Sequence, residues 1–393
     1  MNGLFDTPAF EPTPAAARAR LAAVRPAAYA RTRNAIEGEV TRLSPYLTHG
    51  LLTLPQALAD VLQRGPLPVQ HKLVSEFGWR EYFHHVWLHA GEGIFESLHE
   101  GVLPDAAYAR ALPADIRAGA TGVPVVDVAV RTLYRSGYLH NHARLWLASY
   151  VVHLRKVHWR AGADWLYGHL LDGDLASNHL SWQWVAGTGS HKPYLFNAGN
   201  VERHAPAAWH SRGTPVDVDY GTLDGLARRP QAVAGDAGTP VVEPALVAAP
   251  PAGLGTAPDA AAVQGRAVVL VHPWSLAAAP GVAADALRVG LLDLDFHRRW
   301  PWSPARWAFV GARLRQVCDH VWCGSPDDLL AALQGAAGVH GVHDAHLHPA
   351  FAALQLRPAP RLLPWPARRC SSFSQFWVRA TRGLTQAQEL MAR

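Results

Sequence analysis

One short run, Leu170 to Trp184, gathers Asp172, Asp174, Ser177, Asn178, His179, Trp182 and Trp184. If the chain turns helical near Asp174, then Asp174, Asn178 and Trp182 stand at i, i+4 and i+8 and share one face. A carboxylate, an amide and an indole on one stripe make poor core material, because burying an acid and an amide without partners costs several kcal/mol. Arg144, upstream, would share a helix face with Asn141 and Ala148. A buried arginine must be paired, and Asp172 is its expected partner.

Such a stripe calls for an occupant with donors and acceptors along one edge and a broad apolar face, and a flavin ring has both. Two plainer readings stay open on spacing alone. In the first, Asp174 simply caps a helix and Trp182 is core. In the second, Asp172-Gly173-Asp174 opens a calcium loop, which Ala176 and Asn178 disfavour because they do not continue the string of acids. Late in the chain, His340, His343, His346 and His348 with Asp344 have types that could hold a metal. A solvent-facing strand end is the preferred reading there, and no metal is assigned.

The elements that must position these groups are mostly helices. From about Ala19 to Asn200, periodic apolar stretches are broken by Arg64-Gly65-Pro66 and Gly122-Val123-Pro124. Leu139 to Leu154 reads as one long buried helix, with further runs over Ala163–Leu171 and Leu175–Val185. Ala, Pro, Gly and Val then dominate, which reads as an interdomain linker. Beyond it, Ala267–Val271, Val289–Leu294, His320–Trp322 and Val339–His343 read as strands, with helices over Pro304–Cys318 and Pro326–Gln334. That alternation argues for a small parallel α/β domain. The expected division is a mainly α domain over 1–225, a linker over 226–264 and a smaller α/β domain over 265–393.

Hydrophobic content of 49% excludes wholesale disorder. A formal charge of +5 over 393 residues is mildly basic and fits a polyanionic partner. Cys318, Cys323 and Cys370 form no disulfide framework and cannot supply the four ligands of an ordinary iron–sulfur cluster. No signal peptide or membrane span is visible, so a soluble, cytoplasmic monomer is expected.

Several motifs, in order, resemble the helical FAD-binding domain of the photolyase/cryptochrome family. They are Thr41–Leu47, Glu76–Tyr82, Thr121–Asp127, Gly137–Asn141, Asp172–Asn178 and Trp182–Trp184, and the resemblance spans roughly 29–200. It implies FAD as cofactor, with Thr41, Arg42 and Ser44 on the pyrophosphate and Tyr29 nearby. Arg80 would contact the cofactor and Asn141 its adenine side. Arg144 and Asp172 would pair beside the flavin ring, Asp174 would accept from its edge, and Asn178 would face N5. Trp182 and Trp159 would carry electrons to the photoexcited flavin. Glu76, Trp79 and Trp184 would line a pocket for a pyrimidine dimer in damaged DNA. Arg131, Arg135 and the Gly189–Lys192 loop are expected on phosphates. The implied activity is light-driven repair by a lyase; the alternative is a blue-light receptor without repair.

The chain departs from the family pattern in places. A third tryptophan falls near Ala106, where Tyr108 is the nearest aromatic residue. His142 stands where dimer photolyases carry arginine, and protonation near pH ~6.5 is expected to strengthen lesion binding. Leu145 replaces a pocket methionine. The family's N-terminal α/β antenna domain is missing. Gly324–Leu330 faintly resembles part of it, which would make the order permuted and leaves any second chromophore unidentified.

Overall fold

The computed structural model describes residues 10–236, 238–277 and 285–392. Among the helices, α1 (Lys72–Ala90), α2 (Pro124–Ser136), α3 (Asn141–Ser149), α4 (Trp159–His169) and α5 (Leu175–Ala186) build the site. Their ends are written locally. His71, His140 and His158 each turn a ring nitrogen onto the backbone N–H two residues on, capping α1, α3 and α4. Asp174 caps α5 by accepting from the Ser177 N–H at 2.8 Å. Gly137 and Gly187 end α2 and α5 at φ 64° and 81°, where a side chain would be strained. Asp127 accepts from the Thr121 and Gly122 N–H groups and from the Thr121 hydroxyl, folding the Thr121–Asp127 motif back onto its own helix start.

The expected long helix from Leu139 is present, beginning at Asn141 and passing into one wider turn over Tyr150–Leu154. Helix α5 is buried almost all round because it runs between α1, α3 and α4. That explains a sequence with no clear apolar side.

The Ala- and Pro-rich stretch is an extended strap whose backbone is hydrogen-bonded to what it crosses. Val233 donates to Leu154, Val241 to Ala118, and Val247 exchanges hydrogen bonds with Trp302. Its Glu243 carboxylate accepts from Arg117, from the Trp165 indole at 2.9 Å and from His169 at 3.1 Å.

Beyond the strap lie β1 (Ala267–Val271), β2 (Leu287–Asp293), α6 (Pro304–Val317), β3 (His320–Gly324), α7 (Pro326–Leu333) and β4 (Gly338–His340). The strands form one parallel sheet in the order β3-β2-β1-β4, with Val268 opposite Leu287 and Val339. The helical domain plus small parallel α/β domain expected from the sequence is the architecture found. The expected strand Val339–His343 breaks at Gly341. Val342–His343 pairs instead with Arg357–Pro358 in a separate two-stranded piece. A last helix, α8 (Phe373–Ala380), packs on α1. There the Trp377 ring lies where a Cβ on Gly78 would be, at 2.4 Å.

The helical and α/β parts share one core. Tyr167, Leu171 and Leu175 belong to the same buried cluster as Trp274, Trp302, Trp307 and Phe309. No described helix is long and apolar enough to cross a membrane.

Candidate flavin site

A cavity of about 410 Å3 opens between α1, α3 and α5. Of the residues singled out from the sequence, Glu76, Trp79, Arg80, Asn141, Arg144, Asp172, Asp174, Asn178, Trp182 and Trp184 line it. Residues far apart in the chain thus converge on one space.

Its polar end is an ion-pair network. The Arg144 Nη2 donates to both oxygens of Asp172 at 2.9 and 2.8 Å, while its Nε donates to the Leu139 carbonyl. Asp174 serves several partners: Ser177 N–H on one oxygen, and on the other His84 at 2.9 Å and Arg80 at 3.2 Å. Burial alone would raise the Asp174 carboxyl, but His84 and Arg80 outweigh it and hold it well below the usual range. A permanent anion therefore faces the cavity. Asn178 donates to the Ala163 carbonyl at 2.8 Å, which fixes its amide plane at the wall.

The aromatic end holds Trp182, which is buried and flat against α4. A Cβ on Gly162 would stand 2.3 Å from its ring. Trp159 does not reach the cavity; it is buried with its indole N–H on the Ser97 hydroxyl at 3.0 Å. Beside it lies His158 at 5.6 Å, and Tyr108 follows at 6.3 Å, between ring centroids. At the mouth, Trp79 stacks on Phe373 of α8 at 4.1 Å and 10°, so one of its faces is covered by the C-terminal helix. Burial raises the Glu76 carboxyl, and Arg33 only partly offsets this.

Tyr29, Thr41 and Arg42 line a second cleft, of about 210 Å3, together with Arg20, Arg25 and Glu39. Ser44 borders neither space and begins the short helix Ser44–Thr48. Arg42 takes a left-handed φ of 50° and its buried Nε has no partner. The buried Ser177 hydroxyl, on the cavity wall, is likewise unmatched. Orphaned donors at both spaces fit a ligand that is anionic at one end and an aromatic hydrogen-bonding body at the other, as FAD is.

Some expectations are corrected. Arg131, expected on a phosphate, donates from Nη2 to the Gly119 and Thr239 carbonyls and ties down the strap. Burial and the neighbouring His204 pull His142 down to about 4, so it does not titrate near neutrality. The late histidines are not simply a solvent-facing strand end, because His346 is buried and reaches Leu175. Among the described residues, no group of His, Cys, Asp and Glu could hold a metal.

Sequence reasoning missed His84 and Phe373, and it singled out Asp344 and His346 only as possible metal ligands, not as neighbours of this site. His84 had a signal, since Glu76, Arg80 and His84 form an i, i+4, i+8 stripe on α1. The others had none for this site, because each arrives from the far end of the chain.

Residues 73–207 match the family model described as the FAD binding domain of DNA photolyase. The chain is 35% identical over 159 residues to a deoxyribodipyrimidine photo-lyase of Streptomyces griseus, covering 39% of this chain and 34% of that protein. It is 31% identical over 169 residues to a cryptochrome DASH of Idiomarina loihiensis, covering 41% and 38%. A solved Synechocystis sp. PCC6803 cryptochrome superposes with a TM-score of 0.43 at 26% identity, covering 52% of this chain and 46% of that one. The chain spans about a third to a half of the length of the curated relatives it matches. Over residues 73–207 the chain therefore carries a segment similar to the FAD-binding domain of the photolyase/cryptochrome family.

Proposed function

We propose that this chain is a light-driven DNA repair lyase that splits pyrimidine dimers. Residues 1–225 would form the FAD domain, 226–264 the strap and 265–393 the α/β domain. The observation that carries the reading is one cavity in which Asp174, Asn178 and the Arg144–Asp172 pair share walls with Glu76, Trp79 and Trp184. FAD held by these residues, once reduced and illuminated, would supply the electron for opening the dimer's ring.

The remaining work falls to the chain. Asp174 and Asn178 orient the ring edge, and Arg144–Asp172 sets a fixed charge pair beside it. Thr41 and Arg42, with Tyr29 and Ser44 nearby, serve the pyrophosphate end, and Asn141 the adenine side. Trp159, then Trp182, would lead electrons inward. Glu76, on the cavity wall beside Trp79, stands where it can hydrogen-bond a lesion. Trp184 offers a face to an extruded base. With Phe373 over one face of Trp79, a base can stack only on the other. That covered face also favours a second reading, a blue-light receptor without repair.

Reduced protein, illuminated with oligonucleotides carrying a cyclobutane dimer or a (6-4) lesion, should remove one of them by chromatography. Trp184→Ala should lose about 1–3 kcal/mol of lesion preference, the worth of one base–aromatic stack. Neither turnover nor lesion preference, with FAD bound and photoreducible, would overturn repair and leave the receptor.

A further inference from the structure

We propose that Asp344 and His346, in the α/β part, are positioning residues for the flavin site, latching the start of α5 and the Asp174 carboxylate from outside the FAD-binding domain. The inference rests on the flavin reading above for its ligand and on the following contacts for its mechanics.

The Leu175 N–H donates to His346 Nε2 at 3.2 Å, across 171 residues of sequence. His346 Nδ1 is bonded to Asp344 Oδ1 at 2.6 Å, and the same oxygen accepts the His346 backbone N–H at 3.0 Å. That arrangement puts the ring proton on Nδ1 and leaves the Nε2 lone pair for Leu175. The first turn of a helix has four N–H groups without partners inside the helix. Asp174 supplies an acceptor for Ser177, and His346 supplies one for Leu175, so two acceptors from different parts of the chain hold one helix start. His346 Nε2 also stands 3.9 Å from the Asp174 carboxylate.

The imidazole has little freedom to leave. It lies parallel to the Trp274 ring at 4.7 Å and 7°, with the edge of Trp87 at 4.9 Å and 82°. Trp274 follows β1 and Trp87 lies on α1, so the ring is clamped between the two parts of the molecule. A second arm of the same device is Arg306 on α6. Fully buried, it donates to the Gly173 carbonyl at 2.6 Å, between Asp172 and Asp174. A Cβ at Gly173 would stand 2.6 Å from that guanidinium. The Asp172–Asp174 turn is thus held at its middle carbonyl and at the next amide by residues the FAD-binding segment does not contain. A carboxylate that must sit at one edge of a planar ligand needs this rigidity.

The test uses the full chain with His346→Ala, His346→Gln and Asp344→Asn, and exposed His343→Ala as control. FAD affinity, the flavin absorption spectrum, its reduction midpoint and amide hydrogen exchange over 173–178 are measured. His346→Ala should weaken FAD binding by about tenfold, the order of one buried hydrogen bond, and should speed exchange at Leu175 and Ser177. Asp344→Asn should shift both measurements in the same direction by less. His346→Gln, which keeps an acceptor, should recover most of the loss; Asp344→Asn carries the test if the alanine variant does not fold. A folded His346→Ala protein with control-like affinity, spectrum, midpoint and exchange would overturn the latch, as would control-like values in Asp344→Asn where the alanine variant does not fold. Wild type that takes up no FAD would instead overturn the flavin reading, while exchange at Leu175 would still decide the latch.

Discussion

At the scale of single residues, the site turns on Asp174, which serves as helix cap, ion-pair partner and cavity wall at once. Asp174→Ala should lose flavin, because Arg80 and His84 are left facing a space without their anion and α5 loses its cap. The absorbance ratio of flavin to protein after purification checks this. Asp174→Asn keeps the cap acceptor but loses the charge, so it should retain the fold while binding flavin less well. Equal flavin content in both variants and wild type would remove Asp174 from the site. The aromatic path shows the same economy. Trp182 is at the cavity, and Trp159, His158 and Tyr108 follow one another as neighbouring rings, Trp159 in the same buried cluster as Trp182.

At the scale of elements, two contacts decide how accurately the helices are held. Helix α4 meets α5 through Gly162, whose missing side chain is the seat of the Trp182 ring. Gly162→Ala forces that ring to shift, an overpacking worth about 1–3 kcal/mol. It should lower the urea midpoint and also change the flavin spectrum, since Trp182 lines the cavity. The strap depends on Glu243. Burial would raise its carboxyl, but Arg117 and His169 bring it below the usual range. Glu243→Ala strands the Trp165 and His169 donors and should cost about 1–3 kcal/mol. Limited proteolysis should then cut within 228–259 at a concentration of protease that leaves wild type whole. An unchanged urea midpoint together with an uncut strap would mean that the backbone hydrogen bonds alone hold it.

At the scale of the whole molecule, the shared core sets the response to acid. Burial keeps His49, His140 and His297 neutral down to about 3, and His153 down to about 4. Arg306 pushes His49 and His297 further in the same direction. In the unfolded chain each regains a pKa near ~6.5. The unfolded state therefore binds more protons below that value, and stability falls as pH drops. These histidines contribute their full stability above about pH 6.5 and lose it progressively toward pH 4. Melting temperature should be level from pH 8 to 7 and decline steadily from 6.5 to 4.5. A flat profile over that range would mean that the buried histidines are solvated. Because His49 lies in the helical part and His297 in the α/β part, both parts should melt in one transition.

Spacing along the chain determined the stripe Asp174–Asn178–Trp182, the Arg144–Asp172 pair and the order of helices and strands. Each depends on residues a few positions apart, or on a charge that cannot be buried alone. The caps of α2 and α5 were equally local, since Gly137 and Gly187 state where a helix must stop. Only the tertiary structure decided that the α/β part reaches the cavity rim. Arg306 and Phe373 look in sequence like ordinary positions of their own elements, and Asp344 and His346 read only as members of a late histidine-rich run. Their roles come from contacts spanning most of the chain, and no local periodicity encodes which distant surface a side chain will meet. The same holds for the strap. Its composition reads as loose linker, because a Pro- and Ala-rich segment lacks the apolar stripe that would announce docking. It is ordered by backbone hydrogen bonds and Glu243, whose partners lie on helices more than seventy residues away.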